Sequence, residues 1–377
     1  MKKNLLKNNG VQSLLASLAC VVLGLFIGYI VLLFINPNGA GEAIAAVMKN
    51  FLNYSKSATQ AKYLGNTLVK TAPLLLCALS ILFSYKVGLF NIGAAGQYTL
   101  GAFGALYCAI VLQWPWYLCL LAAMLFGAIW GALPGIFKAY LNINEVITAI
   151  MFNWIGLYMV NDIMYGKGKS PMYDLASTKT YSLRKAAPQA MIPSLGMSEL
   201  FGKLQSVTIA IFIAIFFAIV VYIILNKTAF GYELRACGFN KNAARYAGIN
   251  EKRNIILAMM ISGALAGVGA GLYYLSTVAE WNPQVSTALP AMGFNGISTA
   301  LLACSNPIGT IFSSLFISYI TVGGTKLSTQ YYTKEIADVI TALIIYLCAF
   351  SLLFKNKIRA LLVGKAKRVS VGKGGDD

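Results

Sequence analysis

The sequence predicts an all-α protein that crosses a membrane about ten times. Of its 377 residues, 58% are hydrophobic and only 11% are charged. A soluble domain averages about 45–50% apolar and about 25% charged residues. Several apolar runs reach the roughly 20 residues that cross a bilayer, and Lys and Arg lie mostly between the runs, as in loops that face anionic lipid. We therefore expect a multi-pass protein of the cell membrane.

Ten spans can be placed on the apolar runs. They cover residues 14–35, 65–84, 91–112, 115–137, 146–164, 205–226, 255–275, 289–304, 307–323 and 335–354. An even number of spans puts both termini on one side, and the basic residues near both ends predict that this side is the cytoplasm. The first run follows Lys2, Lys3 and Lys7 as a signal peptide would, but it is long and lacks a small-residue cleavage pattern. We expect it to be a retained span.

The spans define the expected organisation of the chain. Residues 1–13 form a cytoplasmic N-terminus, 14–164 hold spans one to five, 165–204 form an extracytoplasmic loop, 205–354 hold spans six to ten, and 355–377 form a basic cytoplasmic tail. A second polar stretch, residues 227–254, separates spans six and seven on the cytoplasmic side.

Two sequence echoes indicate an internal duplication. "NEVITAI" (144–150) opens span five and "ADVITAL" (337–343) opens span ten, while "LFNIG" (89–93) opens span three and "GFNGI" (293–297) lies in span eight. Both pairs join segments five spans apart, in the same order. Because five is odd, the second copy enters the membrane from the opposite face. The sequence thus predicts a five-plus-five inverted repeat, which in transporters places the substrate path at the repeat interface.

Several kinds of chemistry are not expected. The chain has no histidine, so it lacks His-based metal sites and the commonest general base. Its seven cysteines form no C-x-x-C pair. "GKGKS" (166–170) lacks the glycine that a phosphate-binding loop carries five residues before its Gly-Lys-Ser. We expect no enzyme activity and no bound cofactor or metal. We also expect no nucleic-acid binding, because no aromatic–basic module accompanies the net charge of +18.

Glycines and amides interrupt the apolar run "GLFNIGAAGQYTLGAFGA" (88–105). In a helix, Gly93, Gln97, Gly101 and Ala105 would form one stripe of small residues around one amide. An amide in hydrocarbon is costly unless it finds a partner. The amides therefore either join neighbouring helices or face a central path for a solute. The residues we assign to such a path, with the phenyl rings able to stack on a planar solute, are Phe90, Asn91, Gln97, Asn153, Phe294 and Asn295.

Acidic residues near the spans all lie at predicted span ends: Glu145, Asp162, Glu280, Glu335 and Asp338. None is deep enough to be a convincing proton or sodium site, which disfavours ion-coupled transport. The 227–254 stretch is different in character, because it mixes glycines, charges of both signs and a short helical motif, "KNAARYAG", that Asn240 can cap. Such a loop can present a short helix to a cytoplasmic partner.

Four motifs together resemble the membrane permease subunits of ABC importers. They are "VGLFNIGAAGQ" (87–97), "WGALPGIFKAYLNINEVITAIMFNW" (130–154), "FGYELRACGFNKNAARYAGI" (230–249) and "GFNGISTALLACSNPIG" (293–309). The resemblance runs from about residue 64 to residue 354 and points to the branch that serves simple sugars and, more closely, nucleosides.

The resemblance implies partners for the chain. It implies a second permease subunit, identical or homologous, an external solute-binding protein, and two cytoplasmic ATPase subunits that bind ATP and magnesium. Residues 230–249 would be the coupling loop on an ATPase, and the residues we assign to that coupling are Gly231, Glu233, Arg235, Gly238, Asn240, Ala243, Ala244 and Gly248.

One position departs from the family pattern. Family members usually carry glutamate before the Gly-Gln of the first motif, where this chain has Ala95. If that carboxylate contacts solute or a partner, its absence marks an altered substrate choice. If it lies at a solvent-exposed helix edge, its absence has no consequence.

The expected function is that of a permease subunit that forms the path for nucleosides in an ATP-driven importer. A ribose-like sugar permease and an ion-coupled secondary transporter are the main alternatives. An intramembrane enzyme and a partner-binding scaffold are weaker ones, the former because no nucleophile–base set is visible.

Overall fold

The computed structural model describes residues 9–283 and 287–325, together with residues 332, 339, 342, 343, 346, 347 and 350. Predicted span ten, with Glu335, Asp338 and most of "ADVITAL", lies almost entirely outside the described residues. Residues 1–8 and the basic tail 355–377 also lie outside them.

The described part of the chain is built almost entirely from helices. In chain order they are α1 (Asn9–Ile35), α2 (Ala40–Lys49), α3 (Ser57–Tyr85), α4 (Ala94–Ile110), α5 (Trp116–Leu141), α6 (Glu145–Tyr165), α7 (Leu183–Ala186), α8 (Met197–Leu200), α9 (Ala210–Lys227), α10 (Ala229–Phe239), α11 (Lys241–Tyr246), α12 (Glu251–Leu275), α13 (Ala291–Leu302) and α14 (Pro307–Gly324). Two short strands, β1 (Tyr173–Asp174) and β2 (Lys179–Thr180), pair antiparallel, with Tyr173 opposite Thr180.

Six of these helices are long and apolar enough to cross a membrane: α3, α5, α6, α9, α12 and α14. The expected multi-pass helical membrane protein is thereby confirmed. Helix α4 has 17 residues and α13 has 12, so both are shorter than the roughly 20 residues of a typical span. The number of ten spans, the inverted repeat and the side of the termini stay predictions.

Several helix boundaries differ from the predicted spans. Helix α3 begins at Ser57, eight residues before the predicted span two. Helix α9 begins at Ala210 and not at 205. Just before it, the hydroxyl of Thr208 accepts a hydrogen bond from the amide of Ala210 at 3.3 Å and bonds the hydroxyl of Ser276 at 2.8 Å. Helix α2 was not predicted; it buries Ala40, Ala43 and Val47.

Asparagine side chains begin several of the helices. Asn144 accepts a hydrogen bond from the amide of Val146 at the start of α6, and Asn306 accepts from two amides at the start of α14. The first turn of a helix has amide hydrogens without a partner inside the helix, and such side chains satisfy them. These caps fix where the chain leaves its loops and enters the helix bundle.

Helices α3 and α12 lie at the centre of the bundle, and most of their surface is buried. Helix α12 packs against α5 through glycines. A Cβ atom at Gly263 would collide with the carbonyl oxygen of Gly127, and one at Gly267 would collide with the carbonyl oxygen of Ala123. Small residues let two membrane helices bring their backbones together, and this contact was not predicted from the sequence.

Residues 165–204 form an ordered polar segment against the ends of α6 and α12. The backbone of Thr180 donates to the carbonyl of Trp281 at 2.8 Å, and the indole of Trp281 donates to Asn161 of α6 at 2.8 Å. Arg184 donates to the hydroxyl of Thr277 at 3.0 and 3.2 Å, just after α12. The segment thus joins the two long helices at one end of the bundle.

Candidate functional site

The stretch between α3 and α4 returns into the helix bundle without helical structure. Residues 86–93 begin with a turn in which the amide of Gly88 donates to the carbonyl of Tyr85 at 3.0 Å, and Gly88 has a φ of +80°, which favours glycine. Helix α4 begins only at Ala94, three residues after the approximate start of predicted span three. We call residues 86–93 the re-entrant segment.

Asn91 of the re-entrant segment lies at the centre of a buried polar cluster. Its side-chain amide donates to Gln97 at 2.8 Å and accepts from the amide of Gln97 at 3.2 Å. It also donates to the hydroxyl of Ser262 on α12 at 2.7 Å, and that hydroxyl donates to the carbonyl of Ser80 on α3 at 2.6 Å. Asn91, Gln97, Ser80 and Ser262, which we call the polar cluster, are almost completely buried. The cluster therefore joins α3, α4 and α12 across the bundle.

The polar cluster lies well inside the bundle and not at its end. Ser262 is the twelfth residue of α12, which puts it about 16 Å from the first residue, Glu251, at a rise of about 1.5 Å per residue. In hydrocarbon an amide without a partner costs free energy, and here each amide has a protein partner.

Asn153 supplies the missing cap of α4. No local side chain caps this helix, but the side-chain oxygen of Asn153, on α6, accepts from the amide of Gly96 at 2.8 Å. Its side-chain nitrogen donates to the carbonyl of Ile92 at 3.1 Å. A Cβ at Gly96 would lie 2.8 Å from Asn153, so glycine is needed for this approach. Asn153 therefore fixes the junction between the re-entrant segment and α4.

Ala95 lies in a close contact between α4 and α13. It is fully buried, and a Cβ at Gly293 would come within 2.6 Å of its Cα atom. The position is therefore not the solvent-exposed helix edge that was one of the two alternatives considered from the sequence. The small side chain lets α13 pack on the start of α4.

The remaining three predicted path residues are more accessible. Phe294 on α13 is 38% exposed, and Phe90 and Asn295 are half-buried. The two members of the sequence echo differ in structure, because Asn91 lies in the irregular re-entrant segment and Asn295 lies within α13. Of the six residues, Asn91, Gln97 and Asn153 are thus brought together in buried hydrogen bonds, whereas Phe90, Phe294 and Asn295 keep accessible surface.

Every aspartate and glutamate among the described residues is at least partly exposed. Glu145, at the start of α6, forms a salt bridge with Lys138 at 3.0 Å. The positions of Glu145 and Asp162 near helix ends agree with the sequence prediction.

Residues 227–254 fold into a compact helical segment that includes α10 and α11; we call it the coupling segment. Thr228 caps α10 by accepting from the amide of Gly231, and Asn240 caps α11 by accepting from the amide of Ala243, both at 3.1 Å. The cap predicted for Asn240 is therefore confirmed. Gly248 has a φ of +80°, which lets the chain turn towards α12.

Glu233 and Arg235 do not pair with each other. Glu233 accepts from the side-chain nitrogen of Asn254 at 3.2 Å, and Arg235 donates to the carbonyl of Gly231 at 3.3 Å. The same Asn254 nitrogen lies 3.8 Å from the sulfur of Cys237, whose thiol pKa is raised by burial. Cys237 is buried and packs inside the coupling segment as a small apolar side chain.

An open cleft of about 480 Å³ lies between α10 and α11. Ala236, Ala243 and Ala244 are among the residues that line it, and the lining residues Tyr232 and Phe239 are 65% and 93% exposed. Tyr246 of α11 is also almost fully exposed. Exposed aromatic side chains beside an open cleft are typical of surfaces that contact a protein, a membrane or a ligand.

Sequence reasoning did not find Ser80 or Ser262. Both lie inside apolar runs, where a serine is common and its hydroxyl can bond within its own helix, so neither carries a distinguishing pattern. The glycines of the same run, which begin with Gly263 beside Ser262, were a sign of close contact with another helix.

Six helices long enough to cross a membrane, two of which contribute to the buried polar cluster, and an exposed helical segment define a multi-pass membrane protein. The chain belongs to the family described as "Branched-chain amino acid transport system / permease component", whose model matches residues 63–349.

Several curated relatives match most of the chain. The nucleoside ABC transporter permease protein NupB of Lactococcus lactis subsp. cremoris is 32% identical over 97% of this chain and 99% of the relative. The guanosine ABC transporter permease protein NupP of Bacillus subtilis is 30% identical over 94% of this chain and 97% of the relative. The glucose ABC transporter permease protein TsgB13 of Haloferax volcanii is 26% identical over 78% of this chain and 77% of the relative. A second nucleoside or guanosine permease from each of L. lactis and B. subtilis also matches. No solved structure matches the chain.

Proposed function

We propose that the chain is the membrane permease subunit of an ATP-driven importer and that it forms the path for nucleosides. The observation that carries the proposal is the match to NupB and NupP along almost the whole length of all three chains. Such a match includes the spans, the re-entrant segment and the coupling segment together, and not one motif alone.

The proposal includes partners that supply energy and capture the solute. An ATPase subunit would dock on the cleft between α10 and α11, where the exposed Tyr232, Phe239 and Tyr246 offer apolar contacts. ATP and magnesium would bind to that subunit, and the present chain would hold no cofactor. A second permease subunit is supported by the two matching permeases in each of two organisms, and an external solute-binding protein by the family resemblance.

The proposed topology has ten spans as a five-plus-five inverted repeat, with both termini and residues 227–254 in the cytoplasm and residues 165–204 outside. The sequence echoes and the distribution of basic residues support it. Within it, Phe90, Phe294 and Asn295 are the path residues able to meet solute in this conformation. Asn91, Gln97 and Asn153 would hold the re-entrant segment in place and reach the path only when that segment moves.

A simple-sugar permease is the second candidate, and the match to the glucose permease TsgB13 favours it. Uptake by cells separates the two. The chain, expressed with its partner subunits in a strain without its own nucleoside uptake, is expected to import labelled guanosine or uridine and not labelled ribose or glucose. Uptake of the sugars without the nucleosides would contradict the proposed substrate class.

A further inference from the structure

The coupling segment and the re-entrant segment touch through two glycines. A Cβ at Gly238 of α10 would collide with the carbonyl oxygen of Lys86 and would lie 3.2 Å from the amide nitrogen of Gly88. A Cβ at Gly88 would lie 3.5 Å from the Cα and the carbonyl oxygen of Gly238. The two backbones are therefore in direct contact, with no side chain between them.

Both sides of this contact are anchored. On α10, Leu234 and Cys237 are buried, and the Asn254 amide at the start of α12 lies 3.8 Å from the Cys237 sulfur. On the re-entrant segment, Val87 and Leu89 are buried on either side of Gly88. A glycine contact with buried residues on each side cannot absorb a displacement by rotating a side chain, because it has none to rotate.

Asn91 follows Gly88 by only three residues. It holds Gln97 of α4 and Ser262 of α12, and Ile92 is held by Asn153 of α6. A displacement of residues 86–88 must therefore either be absorbed by residues 89 and 90 or reach Asn91 and the polar cluster. Because Leu89 is buried, the chain between Gly88 and Asn91 has little room to move independently.

We infer that the Gly88–Gly238 contact is the mechanical link through which the coupling segment moves the re-entrant segment and rearranges the polar cluster. This inference rests on the proposed function, since a docked ATPase supplies the displacement. Gly88 and Gly238 are positioning residues, because they act through Asn91 and not on solute.

The first test replaces Gly238 by alanine. The added methyl group must push α10 away from residues 86–88, so Gly238→Ala is expected to reduce solute-stimulated ATP hydrolysis and uptake at least ten-fold. Co-purification of the ATPase subunit is measured on the same preparation, so that a loss of stimulated hydrolysis is assigned to the glycine contact when the complex still assembles. The matched control is Gly41→Ala, because a Cβ at Gly41 in α2 meets no atom within 4 Å. Stimulated hydrolysis that persists in a folded Gly238→Ala complex overturns the inference.

A second measurement does not depend on the folding of a variant. Hydrogen exchange of the complete, unmodified complex, with and without ATP, should change together in residues 228–240 and 86–93. A change confined to 228–240 overturns the inference. If the unmodified complex shows no solute-dependent hydrolysis or uptake at all, the proposed function itself fails, so the two failures are distinguishable.

Discussion

At the scale of single residues, the amides in the membrane are held by other polar groups of the protein. Asn91 exchanges two hydrogen bonds with Gln97 and gives a third contact to Ser262, while Asn153 caps α4 from a neighbouring helix. Asn295 differs, because its half-buried side chain makes no hydrogen bond within the described part of the chain. Asn91 and Asn295, which the sequence echo pairs, therefore differ in their hydrogen bonding and in the roles we expect for them.

This difference predicts that two alanine substitutions affect different properties, the stability of the protein at Asn91 and nucleoside uptake at Asn295. Asn91→Ala leaves Gln97 and Ser262 without their partner and should lower the free energy of unfolding by about 1–3 kcal/mol. Asn295→Ala should change it by less than about 0.5 kcal/mol and lower nucleoside uptake instead. Thermal unfolding of the purified proteins measures the first effect and cellular uptake the second. Equal losses of stability in both variants would contradict the separation of roles.

At the scale of elements, the bundle depends on close approach of helix backbones. The contact of α12 with α5 is made at glycines, and Ala95 allows the same approach between α4 and α13. At such contacts a single methyl group meets backbone atoms, which yield only if a whole helix shifts.

Two substitutions on α12 test the role of these contacts. Gly267→Ala places a methyl group against the carbonyl of Ala123, so overpacking should cost about 1–3 kcal/mol of stability. Gly269→Ala is the control on the same helix, since its nearest contact, the carbonyl of Pro73, is 3.2 Å away and the loss should be clearly smaller. Midpoints of thermal unfolding in detergent compare the two. A Gly267→Ala protein as stable as the unmodified one would refute close packing of α5 on α12.

The charges of α10 supply a second prediction at this scale. The double substitution Glu233→Lys, Arg235→Glu keeps the net charge but removes the acceptor of Asn254 and reverses the charges beside the cleft. It should reduce the ATPase subunit that co-purifies and the solute-stimulated hydrolysis several-fold, with membrane insertion unchanged. Asp174→Lys with Lys179→Glu, on the β1–β2 hairpin, is the matched control and should retain full co-purification. Unchanged coupling in the α10 variant would remove these residues from the docking surface.

At the scale of the whole molecule, hydropathy and basic residues were sufficient to predict a multi-pass helical membrane protein. The stripe of small residues through Gly101 indicated one close helix contact, which Gly101 makes with Gly267 of α12. Hydropathy could not show that the chain before Ala94 is irregular, because Leu89, Phe90 and Ile92 are as apolar as a helix would require. It also could not find Ser80 and Ser262, whose partners lie on distant parts of the chain. The buried environment of Ala95 depends on Gly293, nearly 200 residues away, and needed the fold.

The residues described at all three scales concern one process, the transfer of movement from a docked partner to the interior of the bundle. The coupling segment, the re-entrant segment and the polar cluster form one continuous path of contacts from an exposed surface to the interior of the bundle. The central claim is that ATP hydrolysis by a docked subunit drives nucleosides through this chain.

Uptake by liposomes that contain the complete complex tests the central claim most directly. With the binding protein outside and ATP inside, a labelled nucleoside should accumulate, the accumulation should stop when ATP is left out, and an uncoupler should not affect it. Accumulation without ATP that collapses with an uncoupler would contradict the claim and indicate an ion-driven transporter.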